Sequence, residues 1–249
     1  MRLTVLGSSA GTPTRTNPAS GYLVEHDGAV LWLDAGTGTF MELAARVDPG
    51  TLDAVVISHL HVDHCSDVFG LYGYLAYGPS GRVPVPVYAP ADAGRRFAEF
   101  AGATGEHPFM NVFEFREVGA GDTAVVSPFT LTFGASKHAV PNNTVRIDAG
   151  DRTLVYSGDT GPNRDVMDVA DGADLFLCEA TLIDERTAQT YPFHLTAFEA
   201  GKIAAWGGAG RLVLTHVSHL VDPDESVAQA SERFDGPVTY AAPGMEFEI

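Results

Sequence analysis

The chain has 249 residues, 45% of them hydrophobic and 19% charged, with 15 Lys and Arg against 32 Asp and Glu for a net charge of −17. That length can bury a sizeable core in one large or two small domains, and no apolar run approaches the length of a membrane helix. No basic run is present, so a long polyanion such as nucleic acid is a poor candidate partner, while the two cysteines, Cys65 and Cys178, make no disulfide framework and point to a reducing cytoplasm.

Residues 2–6 predict a strand. They are not the start of a signal peptide, since no long apolar segment with a small-residue cleavage site follows. Gly7-Ser8-Ser9-Ala10-Gly11-Thr12-Pro13 begins a loop that runs to Ser20. No GK[ST] and no helical pattern follow it, so it is read as one rim of a site rather than a phosphate loop. Residues 22–25 and 30–33 are strands joined through Asp27-Gly28, a strong hairpin signal. Asp34-Ala35-Gly36 ends the second strand. A carboxylate there either accepts hydrogen bonds from a neighbouring loop or ligand imidazole, or is a turn residue before Gly36. Residues 40–47 predict a helix.

Residues 53–57, Asp-Ala-Val-Val-Ile, read as a buried strand. Directly after it stands Ser58-His59-Leu60-His61-Val62-Asp63-His64. Side chains on a strand alternate, so His59 and His61 point the same way. The chain then turns and brings Asp63 and His64 back beside them. Imidazole and carboxylate suit borderline divalent metals such as zinc. One metal could take His59 and His61, and a second Asp63 and His64. Clustering three imidazoles without a metal or partners is costly, which weighs against a merely polar turn. Residues 68–77 predict a core helix; the alternative is that Tyr72, Tyr74 or Tyr77 lines a substrate pocket. Residues 85–90 predict a strand, 91–100 a helix and 102–111 a loop.

Residues 112–118 and 129–133 alternate and predict strands. His138 follows, a lone histidine that gains weight from the incomplete site upstream. Residues 153–160 form another strand that ends in an acid, Asp159. Residues 174–181 form the next and carry Glu179, with Cys178 beside it as a small buried residue. His194-Leu195-Thr196-Ala197 opens a helix with Thr196 as N-cap. Residues 211–216 are the last buried strand and end at His216. Residues 222–234 predict a helix, and 237–241 and 246–249 closing strands. His26, His107 and His219 are assigned to the surface, His219 close enough to His216 to reach a rim.

The HxHxDH stretch after an internal strand resembles the signature of the metallo-β-lactamase superfamily. Leu33-Asp34-Ala35-Gly36, the Ser136-Lys137-His138 segment, Tyr156-Ser157-Gly158-Asp159-Thr160-Gly161-Pro162 and Cys178-Glu179-Ala180-Thr181 resemble its ribonuclease Z-like and phosphodiesterase branch, with Cys178 standing where that branch has histidine. The resemblance spans the chain. It implies an α/β fold, a four-layer αββα sandwich in one domain over residues 1–249. Near-equal halves suggest a pseudo-repeat without a repeat of residues. The resemblance also implies two divalent metals, zinc first, with manganese or iron also suited to the donors. His59, His61 and His138 would hold one, Asp63, His64 and His216 the other, and Asp159 would bridge them, while Asp34 supports the loop.

The chemistry so implied is hydrolysis by a water that two metals about 3.5–4 Å apart hold and ionise near neutrality. Asp63 would orient that water. His194, held by Glu179, would protonate the leaving group. An alkoxide needs that proton and a thiolate hardly does, so the leading expectation is a phosphodiesterase on small phosphodiesters. The chain is similar to short, arm-less bacterial members of the branch, some of which hydrolyse cyclic nucleotides, and the resemblance implies these as candidate substrates. The alternative is a thioester, lactone or lactam hydrolase on the same fold. A tRNA 3′-processing endonuclease ranks lower, because the interval from His138 to Asp159 leaves no room for the tRNA-holding arm of ribonuclease Z and the net charge opposes RNA. A non-catalytic metal-binding module ranks lower too, because no ligand is lost. The expected partner is a small anionic substrate, with no membrane and with a homodimer allowed.

Overall fold

A computed structural model describes residues 1–79, 84–103, 109–182 and 191–249. His107 and part of the expected 102–111 loop lie outside them. The strands are β1 (Arg2–Gly7), β2 (Gly21–His26), β3 (Ala29–Ala35), β4 (Ala54–Val56), β5 (Val85–Ala89), β6 (Phe113–Glu117), β7 (Thr123–Val126), β8 (Phe129–Ala135), β9 (Asn143–Ala149), β10 (Arg152–Tyr156), β11 (Leu175–Glu179), β12 (Leu212–Thr215), β13 (Val238–Tyr240) and β14 (Glu246–Glu248). The described helices are α1 (Thr39–Ala44), α2 (Val62–Cys65), α3 (Val68–Tyr77), α4 (Ala93–Phe100), α5 (Phe109–Val112), α6 (Arg164–Val169), α7 (Ala197–Trp206) and α8 (Pro223–Ser231).

The strands form two seven-stranded sheets, ordered β14-β1-β2-β3-β4-β5-β6 and β13-β12-β11-β10-β9-β8-β7. In the first, β14 to β3 pair antiparallel and β3 to β6 parallel. The second repeats that pattern from β7 to β13. The halves are thus a repeat of topology, with the chain's last strand completing the first half.

Period-two alternation builds the layers. Leu3, Val5, Tyr22, Leu31, Leu33 and Val56 face Phe129, Leu131, Val145, Ile147, Tyr156 and Leu177 in the core between the sheets. The outer face of the first sheet, with Leu23, Trp32 and Val55, packs on Leu71, Leu75 and Phe97 of α3 and α4. That of the second, with Phe176, Cys178 and Leu212, packs on Val166, Ala200, Ile203 and Ala230 of α6, α7 and α8. This is the αββα sandwich in a single domain. Parallel strands buried on both faces must read as continuous apolar runs, which β4, β11 and β12 do.

Asp27 and Gly28 both take positive φ, 47° and 82°, as the hairpin turn requires. Thr196 caps α7 and forms a reciprocal capping box with Glu199. Five elements depart from expectation. α2 stands where only a turn was expected, β7, β9 and α6 were not predicted, and α5 occupies the end of the expected 102–111 loop. His26 is half-buried rather than on the surface, its ring 6.4 Å from Phe129.

Candidate metal centre

Five parallel-sheet strands, β3, β4, β10, β11 and β12, deliver their C-terminal ends to one place. In open α/β sheets the crevice beyond those ends is where ligands bind. Asp34 ends β3, and the His59–His64 segment follows β4. Asp159 follows β10, Glu179 ends β11, and His216 follows β12. The C-terminal end of β8 leads on to His138.

The nine expected site residues all come together. His59, His61, His138 and Asp159 form one group whose ligand atoms lie within 4.8 Å of one another, and Asp63, His64 and His216 form a second. In the first, His61 Nδ1 stands 3.0 Å from His59 Nε2 and 3.1 Å from His138 Nε2. In the second, His216 Nε2 is 3.2 Å and His64 Nε2 3.5 Å from Asp63 Oδ2. Asp159 stands between the groups. Its Oδ2 is 3.6 Å from His59 Nε2 and 3.9 Å from His138 Nε2. Its Oδ1 is 3.3 Å from His64 Nε2 and 3.5 Å from His216 Nδ1. One carboxylate thus offers an oxygen to each group.

The surroundings fix which nitrogen each imidazole presents. His64 Nδ1–H donates to Asp34 Oδ2 at 2.7 Å. His59 Nδ1–H donates to Ser58 Oγ at 3.1 Å, and that hydroxyl donates to Asp34 Oδ2 at 2.8 Å. His138 Nδ1–H donates to the Phe193 carbonyl at 3.2 Å. His216 Nδ1–H donates to Thr181 Oγ1 at 2.7 Å, and that hydroxyl donates to Glu179 Oε2 at 2.7 Å. Each of these four rings therefore turns its Nε2 inward. Asp34, fully buried, also accepts from Ser58 N–H and the Tyr156 hydroxyl, so it holds the loop and an imidazole at once.

Gly36 lets this happen: a Cβ there would run into the Asp63 and Ser20 carbonyl oxygens. Asp34 and His216 both hold positive φ, 54° and 48°, a conformation that costs about 1–3 kcal/mol and clusters at functional sites. The Asn142 side-chain amide donates to the Asp159 carbonyl. Gly11 N–H, on the glycine-rich loop, donates to Asp63 Oδ2 at 2.8 Å.

The donor set fits cations. Burial, above all, holds His59, His61 and His138 below the ordinary histidine value, so they are neutral and carry free lone pairs. Burial opposes charge on His64 too, but Asp159 and Asp34 outweigh it and hold that ring well above the usual range. Burial likewise opposes charge on Asp159, yet His216, His64 and His59 keep it ionised. Nε2 of His64 lies 3.5 Å from Asp63 Oδ2 and 3.3 Å from Asp159 Oδ1, two carboxylates that favour a positive charge between them. Among the described residues His64 Nε2 and Asp159 Oδ1 are buried without a hydrogen-bond partner. Each such orphan costs about 1–3 kcal/mol, and a metal ion would satisfy both.

The centre opens on a cavity of about 280 Å³ lined by residues that include Ala10, Gly11, Asp63, Asp159, His194 and His216. The glycine-rich loop is thus one rim, as expected, and His219 stands on the rim as well. Tyr72, Tyr74 and Tyr77 do not line it. Tyr74 instead donates to Asp48, and the Tyr72 and Tyr77 hydroxyls meet at 3.0 Å, so the core-helix reading of α3 holds. His194 Nδ1–H donates to Glu179 Oε1 at 3.0 Å. Burial opposes a charged His194, but Glu179 outweighs it and pushes the imidazole up to about 9. Glu179 is fully buried and also accepts from the Thr160, Thr181 and Leu195 amides. Cys178 is fully buried in the outer core, its thiol pushed up by burial.

Sequence reasoning missed Thr181, Ser58 and Tyr191. Thr181 stood in the quoted CEAT segment, where a hydroxyl two residues past a buried carboxylate is the available signal.

A sequence profile described as a beta-lactamase superfamily domain matches residues 29–217. An uncharacterized protein of Mycobacterium leprae is 34% identical over all of this chain and 89% of its own length. The probable metallo-hydrolase YhfI of Bacillus subtilis is 30% identical over 251 positions, covering all of both chains. The crystal structure of YhfI, a metallo-beta-lactamase fold protein, superposes with a TM-score of 0.88 over 99% of each chain. A ribonuclease Z of Myxococcus xanthus is 30% identical over all of this chain and 98% of its own, but that alignment runs to 308 positions.

Proposed function

This chain is a metallo-hydrolase of the beta-lactamase superfamily, and from that premise we propose that it cleaves small phosphodiesters, with 3′,5′-cyclic nucleotides the leading candidates. The observation that carries the reading is the His194–Glu179 pair at the wall of the cavity, 3.0 Å between Nδ1 and Oε1. His59, His61 and His138 would hold one divalent ion, Asp63, His64 and His216 a second, and Asp159 would reach both. Two zinc ions suit these donors best, although manganese or iron would also be accepted. Such ions, when bound, supply Lewis-acid activation of water and offset charge on the group under attack.

The chain's own residues do the rest. Asp63, held by Gly11 N–H, has a carboxylate edge on the cavity with which to orient a water. Burial opposes its charge, but His216 and His64 keep it below the ordinary carboxylate range, so it stays an acceptor. His194 carries a proton near neutral pH because Glu179 stabilises the imidazolium. That proton is what a departing alkoxide needs and a thiolate can do without, which favours phosphodiesters over thioesters.

Three features weigh against tRNA maturation. His138 and Asp159 are connected directly through β9 and β10, without an inserted arm. The alignment to ribonuclease Z needs 308 positions against 251 for YhfI, and the net charge of −17 opposes a long polyanion.

The test is zinc-loaded, metal-quantified protein assayed on cyclic AMP, cyclic GMP, bis(p-nitrophenyl) phosphate, a thioester, a lactone and a lactam. Turnover of the phosphodiesters, lost in His194→Ala, is expected. Turnover of the thioester, lactone or lactam alone, or thioester turnover unaffected by His194→Ala without phosphodiester turnover, would overturn the reading.

A further inference from the structure

We propose that Tyr191 determines specificity at this cavity: its ring is the platform on which the base of a nucleotide substrate stacks. The inference rests on the phosphodiesterase reading and narrows it to substrates with a flat, uncharged, aromatic portion.

Tyr191 lines the same cavity as Asp63, Asp159 and His194, and 48% of it is exposed. Its ring lies nearly parallel to the His194 imidazole, 18° between planes and 5.5 Å between centroids. His194 in turn stacks on His216 at 15° and 5.6 Å. The tyrosine is therefore the outermost member of a three-ring column whose innermost member belongs to the metal group. Phe193 braces it edge-on, at 87° and 5.6 Å, and itself stands edge-on to His138 at 77° and 6.3 Å. A large aromatic ring held on one face and one edge, half exposed at the mouth of a reactive cavity, is pre-organised to receive a second flat ring.

The rest of the lining selects what that ring belongs to. Among the described residues no lysine or arginine lines the cavity; outside the candidate ligands and His194 it offers Ala10, Gly11, Thr181, Ser218 and His219. Beyond His194, which the leaving group would occupy, a second phosphate or a carboxylate on the substrate would meet no side-chain cation among the described residues. A neutral base would meet Tyr191. The volume of about 280 Å³ is at the small end for ligand sites, so it suits a phosphoryl group and its sugar, with the base at the mouth. Base stacking on an aromatic ring tolerates different bases, because every base has a π-face. The platform therefore selects for the presence of a base more than for its identity.

A tyrosine that merely shields His194 would look similar, and Tyr191→Leu separates the two. Leucine still covers the imidazole but offers no π-face, whereas Tyr191→Phe keeps the face. The experiment is calorimetric binding of adenosine 5′-monophosphate and of ribose 5-phosphate to the zinc-loaded full chain. The two ligands carry the same phosphate and sugar and differ in the base. The wild type is expected to bind the nucleotide about tenfold more tightly than the sugar phosphate, within the range a stacked base supplies. That ratio should fall to near one in Tyr191→Leu and persist in Tyr191→Phe, with ribose 5-phosphate affinity unchanged throughout. A wild-type ratio near one, a ratio that survives Tyr191→Leu, or equal weakening of both ligands overturns the inference. Turnover of cyclic AMP, measured separately, reports on the phosphodiesterase reading: hydrolysis without base preference removes only the platform, and absence of hydrolysis removes the reading beneath it.

Discussion

Replacing Asp34 by Asn tests whether a buried carboxylate, remote from the cavity, sets the metal affinity. Asp34 accepts four hydrogen bonds: Ser58 N–H at 2.7 Å on Oδ1, and Ser58 Oγ at 2.8 Å, His64 Nδ1 at 2.7 Å and the Tyr156 hydroxyl at 2.8 Å on Oδ2. An amide has one acceptor oxygen. It would turn that oxygen toward the three donors and set its NH2 against the Ser58 amide, donor against donor. The orphaned amide costs about 1–3 kcal/mol, and the three remaining bonds each lose about 1 kcal/mol on passing from a charged to a neutral acceptor. The desolvation cost of the carboxylate disappears at the same time, leaving a net loss of about 2–4 kcal/mol. For a chain of this size that lowers Tm by roughly 5–15 °C. Loosening His64 should weaken zinc binding about 10–100-fold, as loss of a partner behind a ligand does. Chelator competition and differential scanning calorimetry measure the two effects. Tyr156→Phe is the control: it removes one donor, costs about 1 kcal/mol, and leaves His64 held, so zinc affinity should not move. An Asp34→Asn protein with wild-type zinc affinity would refute the role assigned to this carboxylate.

Thr181→Val removes the acceptor for His216 Nδ1–H and the donor to Glu179, so zinc offered to the Asp63, His64 and His216 group should bind about 10–100-fold more weakly. Thr181→Ser should restore it, and equal zinc affinity in the valine and serine proteins would count against the relay. His194 retains its proton up to about 9 and loses it above; bound cations draw that value down. Phosphodiester turnover should therefore decline on an alkaline limb at or below pH about 9, and a profile that stays flat to pH 10 (roughly one unit beyond) would exclude His194 as the acid. Gly36→Ala pushes a methyl group into the Asp63 and Ser20 carbonyls and should cost about 1–3 kcal/mol as an overpacking change, read as a lower urea midpoint.

The seven candidate ligands were legible in the sequence because each lies beside an apolar run and the run ends where the residue begins. β4 before His59, β10 before Asp159 and β12 before His216 have no exposed residue beyond Arg152, so their ends are sharp in the sequence. The hydroxyl relays were not legible in the same way. Thr181 reaches His216 only because β11 and β12 pair in the register Glu179↔Thr215, a relation between segments that no local pattern carries. Tyr191 has no periodic partner at all; its value lies in a stack with a residue three positions on. The missed elements divide by cause. β7 is four residues on an edge and α6 six residues with one buried position, too short for a period to show. β9 does alternate, Val145 and Ile147 inward and Arg146 and Asp148 less buried, and its signal was there to be read.

The repeat of topology explains why the site needs two different carboxylate supports. Asp34 ends the strand β3 and Glu179 the strand β11, one in each sheet. Each takes one imidazole directly, His64 on Asp34 and His194 on Glu179. Each takes a second through a hydroxyl, His59 through Ser58 and His216 through Thr181. The two relays are therefore chemically alike, and what differs is the use of the directly held ring. On the first half, His64 turns Nε2 to Asp159 and Asp63 at 3.3 and 3.5 Å, within reach of an ion shared with them. On the second, His194 stands under Tyr191 at the cavity wall, where a held proton can meet a leaving group. A hydrolase needs both a fixed Lewis base for the metal and a mobile proton for the substrate. In the proposed reaction two copies of one carboxylate–imidazole device, differing in what the ring faces, would supply the pair.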